Sequence, residues 1–205
     1  MKMIQRLSSL LGFPSCYQLF QHLVGQDFAY KTYIGEYVRP AAGDKILDLG
    51  CGPAAILNHL PAVNYTGLDI SPEYIASAQK QFGTRGRFLW GDVGLASIEG
   101  ERGTFDLVMA TGVLHHLDDT RAAQFFALAR GALRPGGCLV SYDGCHVPHQ
   151  SRLARWLLAN DRGRFVRTPG EYQQLASAHF SRVQPFLRHD LLRIPYTHLI
   201  MRCCS

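Results

Sequence analysis

Lys45-Ile46-Leu47-Asp48-Leu49-Gly50-Cys51-Gly52-Pro53-Ala54 is a short apolar run that ends in an acidic residue and two glycines. Lys45–Leu49 has the composition of a buried strand. Gly50 and Gly52 let the backbone turn tightly and approach a ligand, because no Cβ stands in the way. Ala54–His59 then opens a helix, and its first N–H groups and positive dipole end are expected to face that ligand. Downstream, short apolar runs keep alternating with helical stretches. Tyr65–Ile70 is a second strand, followed by a helix with Ser71 as N-cap and Pro72 as its first residue. Arg87–Trp90 and Phe105–Ala110 are the third and fourth strands. Thr120–Leu133 is an amphipathic helix, stopped by Arg134-Pro135-Gly136-Gly137. Cys138–Tyr142 is the fifth strand. This alternation predicts an open α/β sheet with helices on both faces.

After the fifth strand the alternation breaks. Pro148–Phe165 reads as an inserted basic helix plus a turn, and Pro169–His179 as a further helix. Val183–Leu187 and Thr197–Arg202 are expected as an antiparallel pair at the edge. Upstream, about Tyr17–Val38 reads as one or two helices. The predicted fold is therefore α/β, a Rossmann-like seven-stranded, mostly parallel sheet with an antiparallel last strand. Residues 1–205 are expected to form one domain. Within it, 1–43 is an N-terminal helical lid, 44–143 the ligand-binding core and 144–168 an inserted lid segment. Residues 169–205 supply the last helix and two strands. The two lids are expected over the carboxyl ends of the strands, where ligands of open α/β sheets bind.

The chain has 205 residues, 47% of them hydrophobic and 18% charged, the balance of a soluble globular domain. No stretch approaches the roughly 18 apolar residues that span a bilayer. The first thirteen residues lack the continuous apolar core of a signal peptide. Six cysteines show no CxxC spacing, so free thiols and a cytoplasmic location are expected. The net charge is +5, unevenly placed. From Gln150 onward nine Arg face only Asp161, Glu171 and Asp190, a balance of 9 − 3 = +6. Such a half could attract an anionic substrate, a nucleic acid or an acidic membrane surface, or simply be a solvated basic face. No RNA-binding signature accompanies it.

Asp69 closes the second strand, 21 residues after Asp48. An acidic group there accepts hydrogen bonds from ribose hydroxyls. Asp92, in Gly91-Asp92-Val93, adds an acceptor on the same edge. Two ligand classes use this arrangement. Gly50, Gly52 and Ala55 also fit the relaxed dinucleotide pattern, so NAD is one candidate. However, Asp48 stands two residues before the first glycine, where a carboxylate would hold an ammonium and repel a pyrophosphate. S-adenosylmethionine (SAM) carries such an ammonium.

Ile46–Ala54 resembles motif I of the class I SAM-dependent methyltransferases. Leu68-Asp69-Ile70-Ser71 is similar to the acidic second motif, and Gly91-Asp92-Val93 to the third. Phe105–Ala110 followed by Val113-Leu114-His115-His116-Leu117 resembles the fourth, and Leu133–Gly137 the turn before strand five. The motifs run in order over about half the chain. The set is most similar to the small-molecule branch around the ubiquinone/menaquinone methyltransferases. Ala54 stands where the third glycine usually does. No Asn/Asp-Pro-Pro-Tyr follows strand four, which argues against methylation of base amino groups. The resemblance implies that Asp48 and the Gly50-Cys51-Gly52 backbone hold the methionine part of SAM. Asp69 would bind the ribose and Ile70 would lie on the adenine. Asp92 and Val93 would meet the adenine edge. Ala110, Thr111, Leu114 and His115 would line the cofactor.

The implied reaction is in-line displacement of the SAM methyl by an O, N or C nucleophile of a small molecule, with S-adenosylhomocysteine as the other product. The protein then supplies positioning and, where needed, proton removal. His115, His116 and His146 are the candidate bases, since histidine titrates near neutrality. One of the His115–His116 pair could instead cap a helix or pack on the cofactor. Tyr17, Tyr30, Asp143 and Tyr196 are candidate substrate contacts. Arg162, Arg164 and Arg167 are candidates for binding an anionic substrate, with a structural salt bridge from Asp161 to a nearby Arg as the alternative. No metal is expected. A membrane partner is not expected, nucleic acid is disfavoured, and a homodimer through the lid helices is an open option. The competing readings are an NAD-type oxidoreductase, an RNA methyltransferase and a non-catalytic SAM-binding protein.

Overall fold

The computed structural model describes residues 24–93, 100–160 and 163–204. Seven strands form one sheet in the order β3-β2-β1-β4-β5-β7-β6. They are β1 (Lys45–Leu49), β2 (Asn64–Asp69), β3 (Gly86–Trp90), β4 (Phe105–Thr111), β5 (Leu133–Gly144), β6 (Arg182–Arg188) and β7 (His198–Cys204). Strands β1 to β5 pair in parallel, and β7 runs antiparallel between β5 and β6. The helices are α1 (Gln26–Thr32), α2 (Pro72–Phe82), α3 (Asp119–Ala132), α4 (Arg152–Ala159) and α5 (Pro169–Ser177). This is the α/β sheet that the alternation predicts, with its antiparallel last strand.

Residue alternation sorts the two faces of the sheet. Leu47, Val108, Ala110 and Leu139 pack with Phe125, Phe126 and Ala129 of α3 and Tyr172 and Ala176 of α5. Ile46, Met109, Val140 and Ile200 point the other way, toward Ala29, Tyr33 and Ile34 and toward Ala78 and Phe82 of α2. The central strands are covered on both sides, which explains why β1 and β4 read as continuous apolar runs. Ser71 caps α2 as expected, its hydroxyl accepting from the Tyr74 N–H. Asp118 does the same for α3, accepting from Arg121.

Several local expectations are corrected. The segment after the glycine loop is a single 3₁₀ stretch, Ala55–His59, and not an α-helix with a developed dipole. Arg134–Gly137 lies within β5 as a bulge: Phe105 pairs with Leu133 and Leu107 with Cys138, so Asp106 faces all four residues. Residues 26–38 pack against one face of the sheet. Tyr33 and Val38 are buried in the core, and the Tyr33 hydroxyl donates to the Val140 carbonyl at 2.7 Å.

Nor are all cysteines free. Cys138 and Cys204 form a disulfide. Sixty-six positions separate them in sequence, so no local spacing betrays the pair. They are directly opposite in the β5–β7 ladder, with Cα atoms 4.4 Å apart, the close spacing of a non-hydrogen-bonded pair. Cys51, Cys145 and Cys203 are buried free thiols. Thiol titration of the denatured, unreduced protein should therefore find two fewer thiols than after reduction. Closing a loop of this length contributes about 2–4 kcal/mol, so reduction should lower the denaturant midpoint accordingly. Equal thiol counts before and after reduction would remove the bridge.

Candidate functional site

Strand β1 lies between β2 and β4, so the crossovers leave it on opposite sides and open a crevice at its carboxyl end. The glycine loop forms one wall. Gly50 has φ +76°, and a Cβ there would stand 2.4 Å from a Val113 methyl in the turn after β4. Only glycine permits that approach. Ala54 also sits in the left-handed region, φ 57°, which accounts for the glycine usual at that motif position.

The acidic residues expected around the loop are where the motifs put them. Asp48 is fully buried on the side of the sheet that carries Tyr65, whose hydroxyl donates to Asp48 Oδ2 at 2.6 Å. Asp48 Oδ1 is buried with no hydrogen-bond partner among the described residues. Burial pushes this carboxyl up to about 7, and the Asp69 charge adds to the rise, against the lowering effect of the Tyr65 hydrogen bond. A buried carboxyl with an unsatisfied oxygen beside a glycine turn fits an ammonium group. Asp69 Oδ2 accepts from the Gly52 N–H at 2.8 Å and Oδ1 from the Ser71 N–H at 2.9 Å. The loop is thus tied to the end of β2, and the carboxylate keeps further lone pairs for a ligand hydroxyl. The Cys51 thiol is driven well above its usual range by burial, so Cys51 offers the site its backbone and not a nucleophile.

Ile70 is exposed at the end of β2, as a planar ring would need. Beside it stands exposed Trp90, whose indole N–H donates to the Ile70 carbonyl at 3.0 Å. Trp90 is missed by motif reading, although an apolar residue at the end of β3 was the available signal. Asp92 forms an ion pair with Arg121 of α3, an arginine the sequence does not single out. Val93 is buried in the core.

The second wall follows β4. Ala110 and Leu114 are buried, Thr111 is half-buried, and a 3₁₀ turn spans Leu114–His116. His115 Nδ1 lies 2.9 Å from Asp143 Oδ1, and the His115 backbone N–H donates to the same oxygen at 3.3 Å. Both side chains are buried. A carboxylate only accepts, so the shared proton belongs on Nδ1 and Nε2 becomes the accepting nitrogen. Alternation along β5 aims Asp143 at this turn, which sequence spacing could not show. Gly163 closes one side of the ring: a Cβ there would lie 1.9 Å from His115 Cδ2. His116 is exposed, its ring centroid 4.2 Å from that of His115. His146 is held by its main chain to the Arg167 carbonyl and does not join the pair.

Other predicted contacts part company. Arg167 is buried, and its guanidinium donates to the carbonyls of Leu114, Leu117 and Phe165 and to Asp119 Oδ1. Its donors are taken up joining the turn after β4 to the inserted segment, with Asp119 as the carboxylate partner. Arg164 is exposed. Arg162 and Tyr17 lie outside the described residues. Tyr30 stands on α1, its ring centroid 5.8 Å from that of His59. Tyr196 lines a cavity of about 620 Å³ with Val147, His149, Gln150, Ser151 and Thr197. Its hydroxyl fits against Gly144, where a Cβ would stand 2.6 Å away. The cavity therefore adjoins the end of β5, one residue beyond Asp143. Among the described residues, no group of three or more His, Cys, Asp or Glu could hold a metal ion.

Residues 46–137 match the model of a methyltransferase domain family. Over 108 residues the chain is 34% identical to the malonyl-[acyl-carrier protein] O-methyltransferase of Paenibacillus, covering 49% of this chain and 38% of that protein. Over 159 residues it is 32% identical to the acetylserotonin O-methyltransferase of Mus musculus, covering 68% of this chain and 40% of that protein. The chain thus spans less than half the length of these curated relatives. A TehB-like SAM-dependent methyltransferase from Corynebacterium glutamicum shares the fold, with a TM-score of 0.62, 20% identity and coverage of 86% and 88% of the two chains. Ordered motifs, sheet topology and these likenesses agree: residues 46–137 are a methyltransferase domain, on the fold of the class I SAM-dependent methyltransferases.

Proposed function

We propose that this chain transfers the methyl group of SAM to an oxygen of a small molecule, with His115 as the base and Asp143 holding it. The observation that carries this reading is the buried His115–Asp143 pair at the carboxyl ends of β4 and β5. A neutral amine presents its lone pair unaided, whereas a hydroxyl must lose a proton as it attacks. A base oriented by a carboxylate is therefore most useful to an oxygen nucleophile. The names of the Paenibacillus and mouse relatives, both O-methyltransferases, support the same acceptor class. The cavity beside Tyr196 is of a size for a small molecule.

In this reading SAM, when bound, supplies the electrophilic methyl. The chain's residues bind, orient and move one proton. Asp48 Oδ1 takes the ammonium, the Gly50–Gly52 backbone the rest of the methionine part, and Asp69 the ribose. Ile70 and Trp90 flank the adenine. Asp143 fixes the ring of His115 so that Nε2 receives the acceptor's proton.

Two expectations follow. An ammonium pairs with ionised Asp48, so SAM binding should displace the proton that burial keeps there. Affinity should rise with pH up to about 7 and then level off. For folding, the sign is the opposite. The folded carboxyl sits above its unfolded value of 3.8, so its contribution is full below that value and is lost as pH rises through about 7. Calorimetric titration from about pH 5.5 to 8 tests the binding arm. Asp48→Asn should weaken SAM by about tenfold or more and flatten the profile; a flat profile in the native protein would rule out the pairing. The second expectation concerns turnover. With a panel of small phenols and carboxylic acids, read by S-adenosylhomocysteine release, His115→Gln should lower kcat by about 10²- to 10⁴-fold. Asp143→Asn should lower it less, and the KM for SAM should hardly move. A His115→Gln rate within about threefold of native would refute the base role.

A further inference from the structure

We infer that the outer side of α4 forms a docking face for an anionic lipid surface. Helix α4 has two apolar sides. Ala154 and Leu158, four apart, face inward and are buried. Leu153 and Trp156, three apart, lie on the outer side and are 53% and 47% exposed. Two large apolar side chains set one turn apart on the exposed side of a helix mark a contact face.

Charge identifies the occupant. Arg152 and Arg155 flank the apolar strip and are exposed, and so is Arg164. From Ser151 to Asn160 there are two Arg and no acidic residue, a balance of +2. Trp and Leu between arginines on a short helix of low overall hydrophobicity is the composition of an interfacial helix, which lies in the headgroup layer and not across the bilayer. No helix among the described residues is long and apolar enough to cross a membrane, and this mode needs none. A second copy fits less well, because a two-fold contact through α4 would set its arginines against their own equivalents. The inner side of the same helix helps to line the cavity, through Ser151 and Ala154, so the docking face and the cavity share one element. The lack of a spanning stretch does not bear on surface binding, which the basic excess of this half leaves open.

The test is co-sedimentation of the full chain with vesicles of phosphatidylcholine alone or with about a third phosphatidylglycerol. Trp90→Phe leaves Trp156 as the reporter of insertion, since the chain has two Trp. Partitioning should be at least about tenfold tighter on the anionic vesicles, should weaken with salt, and should shift the Trp156 emission to the blue. Leu153→Ser with Trp156→Ser should reduce it by about tenfold or more while SAM affinity persists. Arg152→Glu with Arg155→Glu, at exposed positions where the fold is under least strain, should abolish the preference for anionic lipid. Equal partitioning onto both vesicles, no partitioning at all, or binding untouched by either double variant would overturn the proposal. So would a native dimer that the Leu153→Ser, Trp156→Ser pair converts to monomer, which would assign the face to a second copy.

Discussion

A parallel strand cannot return to its neighbour without a crossover, and the chain leaves β1 toward β2 on one side while β4 lies on the other. At that divide no crossover covers the strand ends. Everything chemical in this molecule follows from that gap. The glycine loop enters it from β1, the Leu114–His116 turn from β4, and Asp143 reaches it from the next strand. Gly50 and Val113 touch across it, so the two walls are set by one steric contact.

The polar groups in the crevice survive burial for different reasons. Asp69 is satisfied by two backbone N–H groups and serves as a brace before any ligand arrives. Asp143 has the His115 ring and N–H on one oxygen, while its Oδ2 is without a partner among the described residues. Asp48 has one phenol and one unsatisfied oxygen. An unpaired buried carboxylate is costly, and the protein lowers that cost by holding the proton. The cofactor's ammonium would replace it. In the proposed reading the destabilised group is the one that the ligand's charge would answer.

The cofactor side was legible because it depends on short-range features. A glycine turn, a carboxylate two residues before it and a carboxylate ending the next strand are all encoded within about twenty positions. The strands of the core were legible for the same reason: their apolar runs are buried on both faces. What escaped depends on register. Cys138 and Cys204 meet only because β7 inserts antiparallel beside β5. Tyr65 reaches Asp48 because alternate residues of adjacent strands share a face. Asp143 was singled out as a substrate contact, yet its pairing with His115 requires knowing which face of β5 it occupies. The short 3₁₀ stretch after the glycine loop also escaped, since Ala55–His59 has helical composition but too few residues before Pro61 to build an α-helix.

The arginines of the inserted segment show why composition alone could not divide structure from function. Arg152, Arg155, Arg164 and Arg167 are close in sequence and alike in chemistry. Arg167 follows the bridge that pairs Cys145 with it, which carries it beneath the turn after β4. There three carbonyls and Asp119 converge, and the planar, multi-donor guanidinium can serve all of them at once. A lysine could not. The Leu114 carbonyl also accepts from the Leu117 N–H, but leaving the Leu117 carbonyl unpaired would cost about 1–3 kcal/mol, so Arg167 fixes the turn that carries His115. Arg152 and Arg155 sit on a helix whose inner side is already filled by Ala154 and Leu158, so their side chains are left to the surface. The basic excess of this half is therefore two different things: one internal clasp that holds the turn carrying His115, and an outward charge beside Leu153 and Trp156. Only the outward charge is available to a partner, and the apolar side chains between those arginines determine which kind.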